Sequence, residues 1–152
     1  MIRKRQSLKR KVTKKLIESI QVRFGEVSAQ KVEAAEFEEK RVYLLEDRLE
    51  FVEDGNGLYP FLGGSYVDRL QSVMVDMGAI PYVCNGADVM APGITEMGVF
   101  DESDLVVIRD VTHGKALAVG RALKGSADIE ASKKGKVIQN LHYVGDKLWN
   151  AA

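Results

Sequence analysis

A chain of 152 residues, 45% of them hydrophobic, can bury a core as one domain or two small ones, and its formal net charge of zero excludes a protein that coats nucleic acid through a general field. One cysteine excludes an intramolecular disulfide framework, and two histidines leave a Cys/His zinc site almost no material. No apolar run reaches bilayer length and the first residues lack the apolar centre of a signal peptide, so the cytoplasm is the expected compartment.

Charge is uneven along the chain. Arg3, Lys4, Arg5, Lys9, Arg10, Lys11, Lys14 and Lys15 place eight cations and no acid in the first fifteen residues. From Leu8 the apolar residues Leu8, Val12, Leu16, Ile20 and Phe24 recur every fourth position, with Ile17 widening the stripe. That spacing predicts an amphipathic helix, with Ser7 as N-cap and Gly25 as stop. Its cations are either the solvated face of a packed helix or an arm directed at phosphates.

Residues 32–37, 41–45 and 49–52 read as short antiparallel strands separated by the polar groups Glu38-Glu39-Lys40 and Glu46-Asp47-Arg48. Asp54-Gly55-Asn56-Gly57 is a turn signal, and residues 58–62 return as a further strand. Glu33, Glu36, Glu38 and Glu39 are expected on the wet side of this sheet, since no histidine or apolar pocket signal accompanies them. Gly63-Gly64-Ser65 and the residues up to Ser72 read as a linker, which divides the chain into residues 1–72 and 73–152.

The second half is organised around Val73 to Ile94. Val73-Met74-Val75 is an apolar run that Asp76-Met77-Gly78 bends. Pro81 suits the first turn of a short helix, Gly86 its end, Val89-Met90 a strand, and Pro92-Gly93 its stop. Two glycines then leave the backbone open to a phosphate or a base edge. Residues 95–104 are polar and turn-rich. Residues 105–108 form a strand, Thr112-His113-Gly114 a hairpin tip, and residues 116–123 the return, with Gly120 marking a bulge or a close backbone approach. Ser126 is placed to cap a short helix ending near Ala131. Residues 137–144 and 147–149, joined by Gly145-Asp146, complete a final hairpin. Short strands at this spacing favour a small barrel, so the expected class is α+β: a helix on an antiparallel sheet, then a β-barrel.

Catalysis finds little support. His113 has no neighbouring nucleophile, His142 reads as a satisfied strand residue, and Cys84 lies at the wrong end of its helix for activation. The glycines form neither a GxGxxG nor a P-loop pattern, so no cofactor is indicated and no metal is expected.

The run VDMGAIPYVCNGADVMAPGI closely resembles the signature of the PUA domain, a small RNA-binding β-barrel, and VIQNLHYVGDKLW resembles its last strands. With GLYPFL and the order of elements before it, residues 8–150 are similar to the archaeal and eukaryotic translation-associated proteins related to the malignant T-cell amplified sequence protein. The resemblance implies a pre-PUA domain followed by PUA, and RNA binding on a face made of Gly78, Ala79, Asn85, Gly86, Ala87, Asp88, Val89 and Met90, with Lys147 opposite. In that reading Asn85 and Asp88 meet base edges, Lys147 meets a phosphate, and Arg10, Lys11, Lys14 and Lys15 add secondary phosphate contacts. Tyr82, Tyr143 and Trp149 are either stacking platforms or core. The implied function is a non-enzymatic translation factor that contacts tRNA or the small ribosomal subunit, with a partner protein in eukaryotic relatives. The alternatives are an accessory that delivers a tRNA- or rRNA-modifying enzyme, and a protein-interaction module built on the N-terminal sheet.

Overall fold

The computed structural model describes residues 1–152. The chain divides into two compact units, Met1–Arg69 with Ala151–Ala152, and Leu70–Asn150, each on its own sheet.

The first unit runs β1 (Arg3–Ser7), α1 (Arg10–Phe24), β2 (Val32–Phe37), β3 (Lys40–Leu45), β4 (Arg48–Asp54) and β5 (Gly57–Pro60). Its five strands lie in sequence order and are antiparallel throughout. Ile20 and Phe24 of α1 are buried, and the Phe24 ring lies 5.3 Å from Phe51, which lies 5.0 Å from Tyr66. The stripe is buried only at this end of the helix: Leu16 and Ile17 are half-buried and Val12 is exposed. Gly25, at φ +90°, ends α1 as expected and donates its N–H to the Gln21 carbonyl.

The second unit runs β6 (Gln71–Val75), α2 (Ile80–Val83), β7 (Val89–Met90), β8 (Ile94–Met97), β9 (Leu105–Asp110), β10 (Ala116–Ala122), α3 (Ser126–Ser132), β11 (Lys136–Tyr143) and α4 (Lys147–Ala151). Its sheet order is β7-β11-β10-β9-β6-β8, antiparallel except for the parallel pair β6 and β9. The two edge strands, β7 and β8, are joined only by the turn Ala91–Gly93. A flat sheet of this width would separate its edges by roughly 24 Å. The connection from Met90 to Ile94 reaches about 14 Å at most. The sheet is therefore curled into an open barrel around Val73, Val75, Val106, Ile108, Ala118, Val137 and Ile138. Gly120 marks both a register shift and a close approach, since a Cβ there would sit 2.9 Å from the Gln139 carbonyl oxygen.

The structure corrects several expectations. The N-terminal cations begin with a strand, β1, which the charged sequence concealed. Ser7 pairs with Glu33 in that strand, and Lys9 takes the N-cap position without a side-chain bond. Glu33 is buried, because Arg5 of β1 reaches over it and donates from Nε and Nη2 at 2.9 and 2.8 Å. Within the stretch expected as linker, the Ser65 N–H donates to the buried Glu50 carboxylate at 2.7 Å and Val67 is buried, and the two units divide between Arg69 and Leu70. β8 runs from Ile94 into the stretch 95–104 expected to be turn-rich. Gly125, not Ser126, holds the N-cap of α3, while the Ser126 hydroxyl bonds the Phe100 backbone.

The last hairpin is also absent, because residues 147–149 are helical. Asp146 accepts the Trp149 N–H on Oδ1 at 2.8 Å, an N-cap bond, and its Oδ2 meets the Tyr143 N–H at 3.0 Å and His142 Nδ1 at 2.7 Å. His142 itself is buried.

Asp54, Asp110 and Asp146 are among the aspartates held below the ordinary carboxylate range. At Asp146 burial works upward, but the His142, Trp149 and Tyr143 bonds outweigh it. At Asp54 burial is likewise outweighed, by Lys40 and Tyr59. At Asp110 the His113 N–H is the main cause. A lowered folded pKa adds stability above the unfolded value, about 4 for Asp, and that stability is lost as pH falls through the folded pKa. The urea midpoint should therefore stay level through neutral pH and fall below about pH 4, and Asp146→Asn should flatten that acid limb.

Candidate nucleic-acid interface

Where β6 ends, Asp76 turns the chain. Its backbone carbonyl and Oδ1 both accept the Ala79 N–H, at 3.1 and 2.9 Å, and Pro81 then fits the first turn of α2. The helix is too short to persist by itself. Asn140 of β11 holds it. Its Nδ2 donates to the Val83 and Ala87 carbonyls at 3.0 Å each, and its backbone N–H donates to Asp88 Oδ1 at 2.8 Å. Gly86 sits at φ +91°, and a Cβ there would come 3.0 Å from the Tyr143 ring, so this position requires glycine on two counts.

Between α2 and the edge formed by β7 and β11 lies a hollow of about 500 Å³. Its lining includes six of the sequence-predicted site residues: Ala79, Gly86, Ala87, Asp88, Val89 and Met90. Tyr82, 70% exposed, and Met90, 49% exposed, present their side chains at the surface, while the Val89 side chain lies in the core. Gly78 and Asn85 are exposed but outside the lining, and Lys147 opens α4, also outside it. The cation of the lining is instead Lys136, which the register β7–β11 places opposite Met90 and whose Nζ lies 3.2 Å from Asp88 Oδ2. Nothing in the sequence marks Lys136, because it is the pairing of two distant strands that brings it here.

Around Gly86 the backbone N–H groups are already engaged. The N–H groups of Asn85, Gly86 and Ala87 donate to Tyr82, Val83 and Tyr82 carbonyls at 3.1, 3.1 and 2.9 Å. Cys84 is half-buried, and burial pushes its thiol up. In the first unit Arg5 is committed to Glu33 and Asp47, and Lys4 to Glu36, whereas Arg10, Lys11, Lys14 and Lys15 stand exposed along one side of α1.

A PUA domain model matches residues 71–144. An uncharacterised protein of Methanocaldococcus jannaschii is 39% identical over 98% of this chain and 97% of its own. Translation machinery-associated protein 20 of Saccharomyces cerevisiae is 31% identical over 78% of this chain and 71% of its own. The chain belongs to the translation machinery-associated protein 20 family. Malignant T-cell-amplified sequence 2 of Mus musculus is 38% identical over 60% of this chain and 49% of its own, so the match spans about half of that relative. Among solved structures, a hypothetical protein of Pyrococcus horikoshii superposes with a TM-score of 0.82 at 30% identity, covering 97% of this chain and 99% of that one. The hollow falls inside the PUA match, and the four α1 cations fall outside it.

Asn140→Ala should lower stability by roughly 1–3 kcal/mol in urea unfolding, because two carbonyls lose their donor. Amide exchange should rise across residues 79–88 well before it rises in β9 and β10.

Proposed function

We propose that this member of the family is a non-enzymatic RNA-binding factor of translation, acting in the cytoplasm on tRNA, the small ribosomal subunit or both. The observation that carries the reading is the hollow: an apolar surface with an exposed tyrosine and methionine beside one cation, on the PUA half of the chain. Unpaired RNA bases need an aromatic or apolar platform, and the adjoining phosphate needs a positive charge. The RNA-contacting set is then Ala79, Tyr82, Gly86, Ala87, Met90 and Lys136. The name of the yeast relative supports placing the work at the translation machinery.

In this reading residues 1–72 form the second arm, the pre-PUA domain. Arg10, Lys11, Lys14 and Lys15 supply salt-sensitive phosphate contacts, and a translation-factor partner protein completes the assembly. Zero net charge makes the arrangement local: affinity comes from patches, with no long-range field behind them. No group in the hollow is arranged as nucleophile, base and orienter, which supports a binding role over chemistry.

Binding to tRNA and to small ribosomal subunits, measured across salt concentration, tests this. Lys136→Ala should flatten the log-affinity against log-salt slope by about one unit. The combined change of Arg10, Lys11, Lys14 and Lys15 to alanine should flatten it by roughly two to three units for every RNA. Unchanged affinity in both variants, or co-purification with an RNA-modifying enzyme in place of subunits, would contradict the proposal.

A further inference from the structure

We infer that the hollow distinguishes unpaired from paired RNA but does not read base identity; this inference rests on the RNA-binding reading above. The argument is a count of the groups able to hydrogen-bond a base edge. Asp88 is the only carboxylate of the lining, and both its oxygens are engaged, Oδ1 by the Asn140 N–H and Oδ2 by Lys136. The neighbouring Asn140 amide nitrogen is spent on the Val83 and Ala87 carbonyls, and the Val83 carbonyl also accepts the Gly86 N–H. The N–H groups of residues 82–87 all donate within the segment. Lys136 is a point charge suited to a phosphate and carries no acceptor.

What remains for a ligand is the Tyr82 ring with its rotatable hydroxyl, which donates or accepts alike and so selects no base, the flexible Met90 thioether and small apolar groups at Ala79, Ala87 and Gly93. Such a surface binds the π-face of any base, and every base has one. Duplex RNA keeps those faces stacked inside and offers only its backbone, which a single cation holds weakly.

The experiment titrates the full chain with short homopolymeric strands of U, A and C and with a blunt-ended RNA duplex, using fluorescence anisotropy. The three strands should bind within about tenfold of one another, and the duplex at least roughly tenfold more weakly than any of them. Tyr82→Ala should weaken all three strands by about 10- to 100-fold, while Tyr82→Phe, which keeps the ring, should stay within about threefold of the parent. Tyr82 is exposed, so neither change strains the fold.

A preference of about 100-fold or more for one strand, or loss of binding in Tyr82→Phe equal to that in Tyr82→Ala, overturns the inference and leaves the RNA-binding reading standing. Equal binding of strand and duplex also overturns it. Failure of every RNA to bind, or binding that Tyr82→Ala leaves intact, overturns both.

Discussion

The second unit depends on one residue of β11 reaching across to α2. The segment from Asp76 to Asp88 satisfies most of its N–H groups internally, but with one turn of α-helix and no ladder of its own it needs bonds from elsewhere to hold it to the sheet. Asn140 supplies three of them at once: two carbonyls through its amide and one carboxylate through its main-chain N–H. Each bond contributes only about 1 kcal/mol net, yet all three converge on a stretch of six residues. Pro81 and Gly86 assist by restricting the chain to the shape that the clamp accepts. A hollow held in this way is formed before any ligand arrives, so binding spends little on ordering the protein.

The same economy governs charge. With equal numbers of acids and bases, a folded chain could neutralise nearly every cation locally, and in the first unit it partly does. Arg5 lies between Glu33 and Asp47, and Lys31 reaches Asp47 at 2.6 Å, so these residues tie β1, β2 and the β3–β4 turn together. Glu33 and Asp47 are held below their ordinary range chiefly by the Arg5 and Lys31 bonds respectively. The cations of α1 are left outside this network. A basic stretch that looks uniform in sequence thus divides into a structural part at residues 4–5 and an exposed part at residues 10–15.

That division was not legible in the sequence, and neither was β1, because a strand made of Arg, Lys and Gln has no apolar alternation to announce it. The α1 stripe, the β2–β5 meander and the strand–bend–helix–strand unit at residues 73–90 were legible, since each combines a hydrophobic period with Gly, Pro or Asp punctuation. The sequence around α4 is ambiguous: Gly145-Asp146 suits a hairpin turn, and Asp followed by Lys-Leu-Trp is equally an N-cap signal. At the site, the grouping of Ala79 with residues 86–90 was legible, with Lys147 expected opposite that face, whereas Lys136 was not legible. Local pattern gives the segment; only the β7–β11 register gives the cation. Gly86 was assigned openness toward a ligand, whereas its conformation and the Tyr143 ring explain it.

The central claim, that a clamped hollow in the PUA half is the surface that meets RNA, is tested most directly by backbone NMR of the full chain titrated with single-stranded RNA. The account predicts the largest amide shifts at residues 79–90 and at Lys136, with smaller, salt-sensitive shifts on α1. Shifts confined to the first unit, with residues 79–90 unmoved at saturation, would contradict it.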